Sequence, residues 1–352
     1  MTALATLTVT AQKDGDASLR PVPWRRMAWV IWRQHRVALA GVAAALGALA
    51  GYVWIIGLQL HHAHAAATTC NPASPTCADL ITHFNFMNHV LQGGYALQLV
   101  PPLIGAFLAA PLMARELETG TFRYAWTQGF GRWRWTLAKL VALAVVVTAA
   151  AGAISVLLSW YYQPYLATGN QNLSLNELSP FALGLFDLRG IALAAWTLVA
   201  FAIGGLAGML IRRVVPAIVA TLVAYTGLAL VAANFLRQHY LTPLLTSNVN
   251  VPGSAWIASQ RWTKGGTFAF TSWRNAPNDL LQQCRSIPAG PLAKPSQSTL
   301  AQCFAQHGYT QLTRYQPASR FWSFQWIEGG WLLALSALLI AVTVWVVRRR
   351  AI

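Results

Sequence analysis

Six stretches of this 352-residue chain run for about 20 residues each without a Lys, Arg, Asp or Glu. They are Val37 to Leu60, Tyr95 to Ala114, Leu140 to Ser159, Gly190 to Ile211, Val214 to Leu236 and Gly329 to Val347. At 1.5 Å rise per residue, a helix of about 20 apolar residues crosses the roughly 30 Å hydrocarbon core of a bilayer. A soluble domain of this length would carry about a quarter charged residues, whereas this chain is 10% charged and 56% hydrophobic. A disordered chain and a small secreted disulfide scaffold are excluded on the same ground. With no water in the core to satisfy backbone groups, each stretch is expected as a helix, giving an all-α integral membrane fold of six spans. Pro101, Pro102 and Pro111 in the second stretch predict a bend there.

Lys and Arg near span ends set orientation, because short loops rich in them stay in the cytoplasm. Lys13, Arg20, Arg25, Arg26, Arg33 and Arg36 precede span one, and Arg115, Arg123, Arg132, Arg134 and Lys139 follow span two. Arg212 and Arg213 join spans four and five, and Arg348 to Arg350 follow span six. The alternate segments Gln59 to Gly94 and Trp160 to Leu188 carry none. Both termini are therefore expected in the cytoplasm, in a multi-pass protein of the plasma membrane. A net charge of +16 would suggest nucleic acid as the partner of a soluble protein. Clustered at span ends it points to membrane lipid, with no nucleic-acid partner. The chain divides into a tail and amphipathic segment (1–36), spans one to five with the loop 115–134 (37–236), a long extracytoplasmic connection (237–328), and span six with a basic tail (329–352).

Disulfides persist on the oxidising side of a membrane, and all four cysteines fall in segments assigned outside. Of three possible connectivities, Cys70 with Cys77 and Cys284 with Cys303 close the shortest loops and are the pairs expected. The first apolar stretch is too long for the h-region of a cleaved signal, so it is expected to remain as an anchor.

Two cytoplasmic segments stand out. On a helical wheel, Trp24 to Arg36 gathers Trp24, Met27, Ala28, Val30, Ile31 and Trp32 on one side. Arg25, Arg26, Arg33 and Arg36 gather on the other, with Trp29 among them. That pattern predicts an amphipathic elbow helix at the interface, besides its service as a positive-inside stop for span one. After span two, Arg115 and Glu116 follow the span end, Gly120 allows a helix end or tight turn, and Thr121 can cap a new short helix. That helix would present Phe122, Tyr124, Ala125 and Trp126 beyond the membrane, which suits either docking to another protein or an interfacial loop with its acids neutralising nearby arginines.

The run from Ala110 to Leu140, APLMARELETGTFRYAWTQGFGRWRWTLAKL, resembles the region after the second span in actinobacterial ATP-binding-cassette (ABC) permeases of the type-2 exporter class. Trp32 to Arg36, W-R-Q-H-R, is similar to the elbow of that family, and the six-span layout with a large connection before span six is similar as well. The resemblance implies a cytoplasmic coupling helix between spans two and three that touches a separate ATPase subunit. Arg115, Glu116, Glu118, Gly120, Thr121 and Arg123 would shape that contact. It further implies a homodimer, or a heterodimer with a related permease, with ATP and Mg held by the ATPase and no cofactor in this chain. Spans two and five would line the path of an exported drug, lipid or other amphipathic molecule, making Gln98, Phe107, Tyr225 and Asn234 candidates for substrate contact.

Other chemistry is less well supported. No G-x-x-x-x-G-K-[ST] loop occurs, so nucleotide phosphates are not cradled here in the P-loop manner. No apolar stretch holds an ionisable Asp, Glu, Lys or Arg near its middle, which favours an ATP-driven permease over an ion-coupled carrier. His61, His62, His64, His83 and His89 lack a recognised metal spacing. Ser159, Ser179 and Asp187 lack the G-x-S-x-G context of a hydrolase. A non-transporting anchor or sensor shares the topology and differs by the coupling segment alone. Gly47 with Gly51, and Gly204 with Gly208, have G-x-x-x-G spacing and are expected to serve packing within the chain first.

Overall fold

Six helices of the computed structural model are long and apolar enough to cross a membrane: Ala43–Thr69, Ala96–Glu118, Trp133–Tyr161, Ala192–Ile211, Val214–His239 and Ala318–Arg349. The structure describes residues 24–71, 74–120, 132–166, 179–182, 184–247, 251–252, 254–285 and 297–349. Span four is the most buried of the six and packs against spans two, three, five and six. Its sequence is apolar all round, as a helix enclosed by other helices must be.

Spans two and four meet backbone to backbone. A methyl group on Gly204 would lie 2.2 Å from the carbonyl oxygen of Gly105, and one on Gly208 would lie 2.3 Å from that of Ala110. A methyl group on Gly47 or Gly51 would meet nothing within 4 Å beyond its own helix among the described residues. The two pairs with equal spacing therefore differ, and only Gly204 and Gly208 serve packing within the chain. Where the prolines of span two predict a bend, the structure shows a change of helix type. The chain passes from a 3-10 stretch (Gln92–Leu99) to Val100–Ile104, a π turn (Gly105–Ala109) and Ala110–Glu118. Pro111 has no N–H to give the carbonyl four residues back, and the π turn directly before it widens the helix at that place.

Span one is peripheral and is held mainly near its far end. Trp160 of span three lies between Trp54 and His61, each ring centroid 4.6 Å from its own. Gly57 leaves room for the indole, since a methyl there would fall 2.4 Å from it. An elbow separate from span one is not what the structure holds. Trp24–Thr69 is one uninterrupted helix of 46 residues that runs through Val37 without a break. Arg33 and Arg36 are exposed along it, and the Arg33 guanidinium lies 5.4 Å from the Trp29 ring one turn back. This cation–π contact accounts for a tryptophan on the arginine side of the wheel. Nothing is described of the side chains of Trp24, Arg25, Arg26 and Trp32.

The expectation of an all-α chain needs correction between spans five and six. A four-stranded antiparallel sheet forms there, from β1 (Leu244–Thr246), β2 (Trp256–Lys264), β3 (Thr267–Phe270) and β4 (Tyr309–Gln316), in the order β1-β4-β2-β3. Helices Asn278–Arg285 and Gln297–Gln306 close a core of Trp262, Phe270, Leu281 and Phe304. Cys284 is bonded to Cys303 in that core, and Cys70 is bonded to Cys77 after span one. Replacing Cys284 and Cys303 together by serine should cost this small unit about 3 kcal/mol, the value for a loop of this length. Limited proteolysis should then cut the connection while the spans stay intact.

Two span boundaries also move. Span five continues through Arg237 to His239, and the sixth helix begins at Phe321, so Glu328 lies inside it rather than closing a loop. Both residues are charges that would ordinarily end a hydrophobic run, and each is the other's partner.

Candidate functional site

At the end of the bundle that carries the sheet, three charges from three elements converge. Asp187 sits on the short helix Leu185–Leu188 before span four, Arg237 on the last turns of span five, and Glu328 on span six. Arg237 Nε donates to Glu328 Oε2 at 3.0 Å, and Nη2 donates to Glu328 Oε1 at 2.7 Å and to Asp187 Oδ1 at 2.5 Å. Trp196 Nε1 donates to Glu328 Oε1 at 2.9 Å. The guanidinium also lies 4.3 Å from the Phe186 ring. Glu328 is fully buried with both oxygens satisfied, while the Asp187 side chain keeps 26% exposure. Burial pushes the Asp187 carboxyl above its ordinary range, Arg237 pulls it back down, and the Glu328 carboxylate raises it again. Arg189, two residues on, makes no ion pair among the described residues. It rests over the Phe321 ring at 5.2 Å, and burial pushes its pKa down to about 10.

Gln325 of span six fixes the neighbouring start of span four. Its Oε1 accepts from the N–H groups of Ile191 and Ala192, and its Nε2 donates to the Phe186 carbonyl. Helix N-termini leave such N–H groups without partners of their own, and no side chain of span four's own N-cap supplies one.

Beside the charged cluster lies a cavity of about 310 Å³ between spans two, four and five. Asp187, Arg237, Gln98 and Tyr225 bring polar groups to it, and Pro101 and Leu230 are among its apolar walls. Of the four residues proposed for a substrate path, the structure therefore brings Gln98 and Tyr225 together. Phe107 and Asn234 do not join them: Phe107 is 62% exposed on the outside of span two, and the Asn234 amide donates to the Leu230 carbonyl. A second cavity of about 180 Å³, between spans one, two and three, is lined by aliphatic side chains such as Leu46, Ile104 and Val147.

At the opposite end, the acids after span two turn into the bundle. Glu116 is ion-paired with Lys139 of span three, whose side chain is 1% exposed. Glu118 Oε2 accepts from the Val214 N–H at 3.3 Å, at the first turn of span five. Arg212, in the left-handed region with φ 59°, ends span four, and Arg213 leads straight into span five. The start of span five has no side-chain cap of its own, so Glu118 supplies the acceptor from another span. Thr119 bonds back to the Arg115 carbonyl and Gly120, with φ 72°, turns the chain out of the helix. Thr121 and Arg123 lie outside the described residues, as does the stretch 121–131 expected to form a coupling helix.

Sequence reasoning passed over Lys139, Arg237 and Glu328, and named Asp187 only for hydrolysis. The hydroxyls named with it are engaged otherwise: Ser159 donates to the Ser155 carbonyl and Ser179 to that of Ser254. Among the described residues, the one grouping of three metal-ligand side chains is Cys284, Cys303 and His307, and its two sulfurs are bonded to each other. His61 stacks on Trp160 and its Nε2 lies 3.1 Å from the Trp160 carbonyl.

Over 81 residues the chain is 38% identical to a Rhizobium tropici protein described as a probable lipid II flippase MurJ, a stretch covering 23% of this chain and 14% of that one. No solved structure matches. The family model for ABC-2 membrane transporter related proteins matches residues 43–237, more than half of the chain and the whole run from the membrane-length part of span one to Arg237. With six helices of membrane length and that match across five of them, the chain belongs to the ABC-2 membrane transporter related family.

Proposed function

We propose that this chain is the permease of an ABC exporter for amphipathic molecules, working as a homodimer or with a related permease and driven by separate subunits that bind ATP and Mg. The observation that carries the reading is the family match over spans one to five. Both termini lie in the cytoplasm of a plasma-membrane protein. The basic residues before span one and after spans two, four and six support this orientation, as do two disulfides in segments that alternation puts on the other side.

The ATPase grips the segment after Gly120, with Arg115 and Arg123 available for ion pairs. Closure of the ATPases pushes on that segment. Glu116 and Glu118 pass the push on, because they tie the foot of span two to Lys139 of span three and to the start of span five. Packed helices respond to such a displacement by moving as bodies, and the cavity between spans two, four and five alternates its exposure.

Glu116→Ala with Glu118→Ala is expected to lower ATP-driven transport in proteoliposomes by about tenfold or more, each lost charged contact being worth on the order of 1.5–3 kcal/mol. Because these carboxylates brace the spans, the ATPase should still co-purify. Unchanged transport by the double variant would dismiss the coupling assignment. A permease that transports fully in the absence of any ATPase would dismiss the whole reading. A tag inserted at residues 72–73 and labelled only from the cytoplasm would invert the topology.

A further inference from the structure

We propose that the cavity between spans two, four and five is a binding site for hydrophobic organic cations, with Asp187 as the counter-charge. This deepens the exporter reading and rests on it for the cavity's place on a transport route, but the binding step belongs to this chain alone. Two carboxylates share one guanidinium in the cluster beside the cavity, which leaves an excess of one negative charge when both are ionised. Glu328 cannot offer that charge to a ligand, being fully buried and saturated by Arg237 and Trp196. Asp187 can: it lines the cavity, its Oδ1 is held by Arg237, and its side chain remains partly exposed.

The rest of the cavity suits the body of such a ligand. Trp196 and Tyr225 bring aromatic rings to its wall, their centroids 5.5 Å apart, and Pro101 and Leu230 add aliphatic surface. Aromatic faces next to a carboxylate attract a desolvated cation and do nothing for an anion. Arg237 stands at the same end but is neutralised, and Arg189 is directed to Phe321.

A proton competes for the same place. The groups facing Asp187 are Arg237 and Tyr225 of span five and Glu328 of span six. With burial as the largest influence, the Asp187 carboxyl holds its proton to a higher pH than a free one. A folded-state pKa raised in this way means that cation affinity increases as pH rises and Asp187 ionises.

The test is equilibrium dialysis of the full chain in non-ionic detergent against tetraphenylphosphonium and tetraphenylborate, ions of one shape and opposite charge. The phosphonium should bind and the borate should not. Asp187→Asn should weaken phosphonium binding by about tenfold or more, as expected for losing one partner of a partly desolvated charge pair. Ala229→Phe, which fills the cavity from span five without touching a charge, should weaken it similarly. Affinity of the unaltered chain should rise with pH through the range in which Asp187 ionises, a range displaced upward from that of a free carboxyl. The phosphonium itself has no proton to lose, so this arm decides even where a variant fails to fold. Equal binding of the two ions, a flat pH profile, or folded variants with unchanged affinity would overturn the proposal. Loss of the cation site with ATP-driven transport intact would leave the permease reading standing, and phosphonium binding by a chain whose transport proves independent of any ATPase would do the reverse.

Discussion

Replacing Arg237 by methionine is expected to destabilise the chain by about 3–5 kcal/mol, the cost of removing one partner from a buried ion pair. The cause is the group left behind. Glu328 is fully buried, and without Arg237 it would lose its counter-charge while facing Asp187 across the same space. The yield of monodisperse protein in detergent and its survival of heating are the readouts. Adding Glu328→Gln and Asp187→Asn to Arg237→Met should restore most of the loss, because a neutral amide at 328 can still accept from Trp196. Arg237→Lys should fall between the two, since one ammonium cannot reproduce a guanidinium that serves both carboxylates from Nη2 and one of them from Nε as well. Wild-type heat resistance in Arg237→Met would show that the cluster carries no weight in the fold.

The second large effect is expected at Gly204. A valine there would drive side-chain atoms into the backbone of span two, because even the first carbon would stand 2.2 Å from the Gly105 oxygen and 2.9 Å from the Ala109 methyl. Backbone cannot give way as a side chain tip does. The cost is expected at or above the usual overpacking range of about 1–3 kcal/mol, with Gly204→Ala milder and Gly208→Ala similar to it. Gly47→Ala is the internal control: open space surrounds it, and alanine in a helix is preferred over glycine by about 0.5–1 kcal/mol. Heat resistance measured in one detergent should fall for the first set and hold or rise for the last. The opposite order would mean that span one, not span four, is the closely packed helix.

These results bear on how far the chain could be read before its fold was known. The spans were legible because uncharged runs of that length have few other uses, and the cysteine pairs because the two halves of each share one outer segment and close the shortest loops. Span limits were less legible. Arg237 and Glu328 read as the ends of hydrophobic runs, since neither residue shows on its own that the other neutralises it. The sheet was missed for a local reason: β1 has three residues and β2 carries polar residues on most positions, so neither has a clear two-residue period. Glycine spacing is identical at 47/51 and 204/208, and only the neighbour distinguishes an open face from a closed one. Gln98 and Tyr225, named through the family's use of spans two and five, stand on one cavity wall. Asp187 and Lys139 gain meaning only from partners 50 and 23 residues away.

The small sheet imposes one condition on any motion of the bundle. Its first strand leaves span five and its last strand leads into span six, and these two are hydrogen-bonded side by side, Leu244 opposite Tyr315 and Thr246 opposite Thr313. Below that seam Gln316 reaches the Leu241 carbonyl, and Arg320 reaches that of Thr242. The chain thus buckles its own two final spans together at the rim. Parting them would mean unzipping a strand pair, so any swing of spans five and six would be that of a single door leaf, with the disulfide-bonded unit riding on its edge.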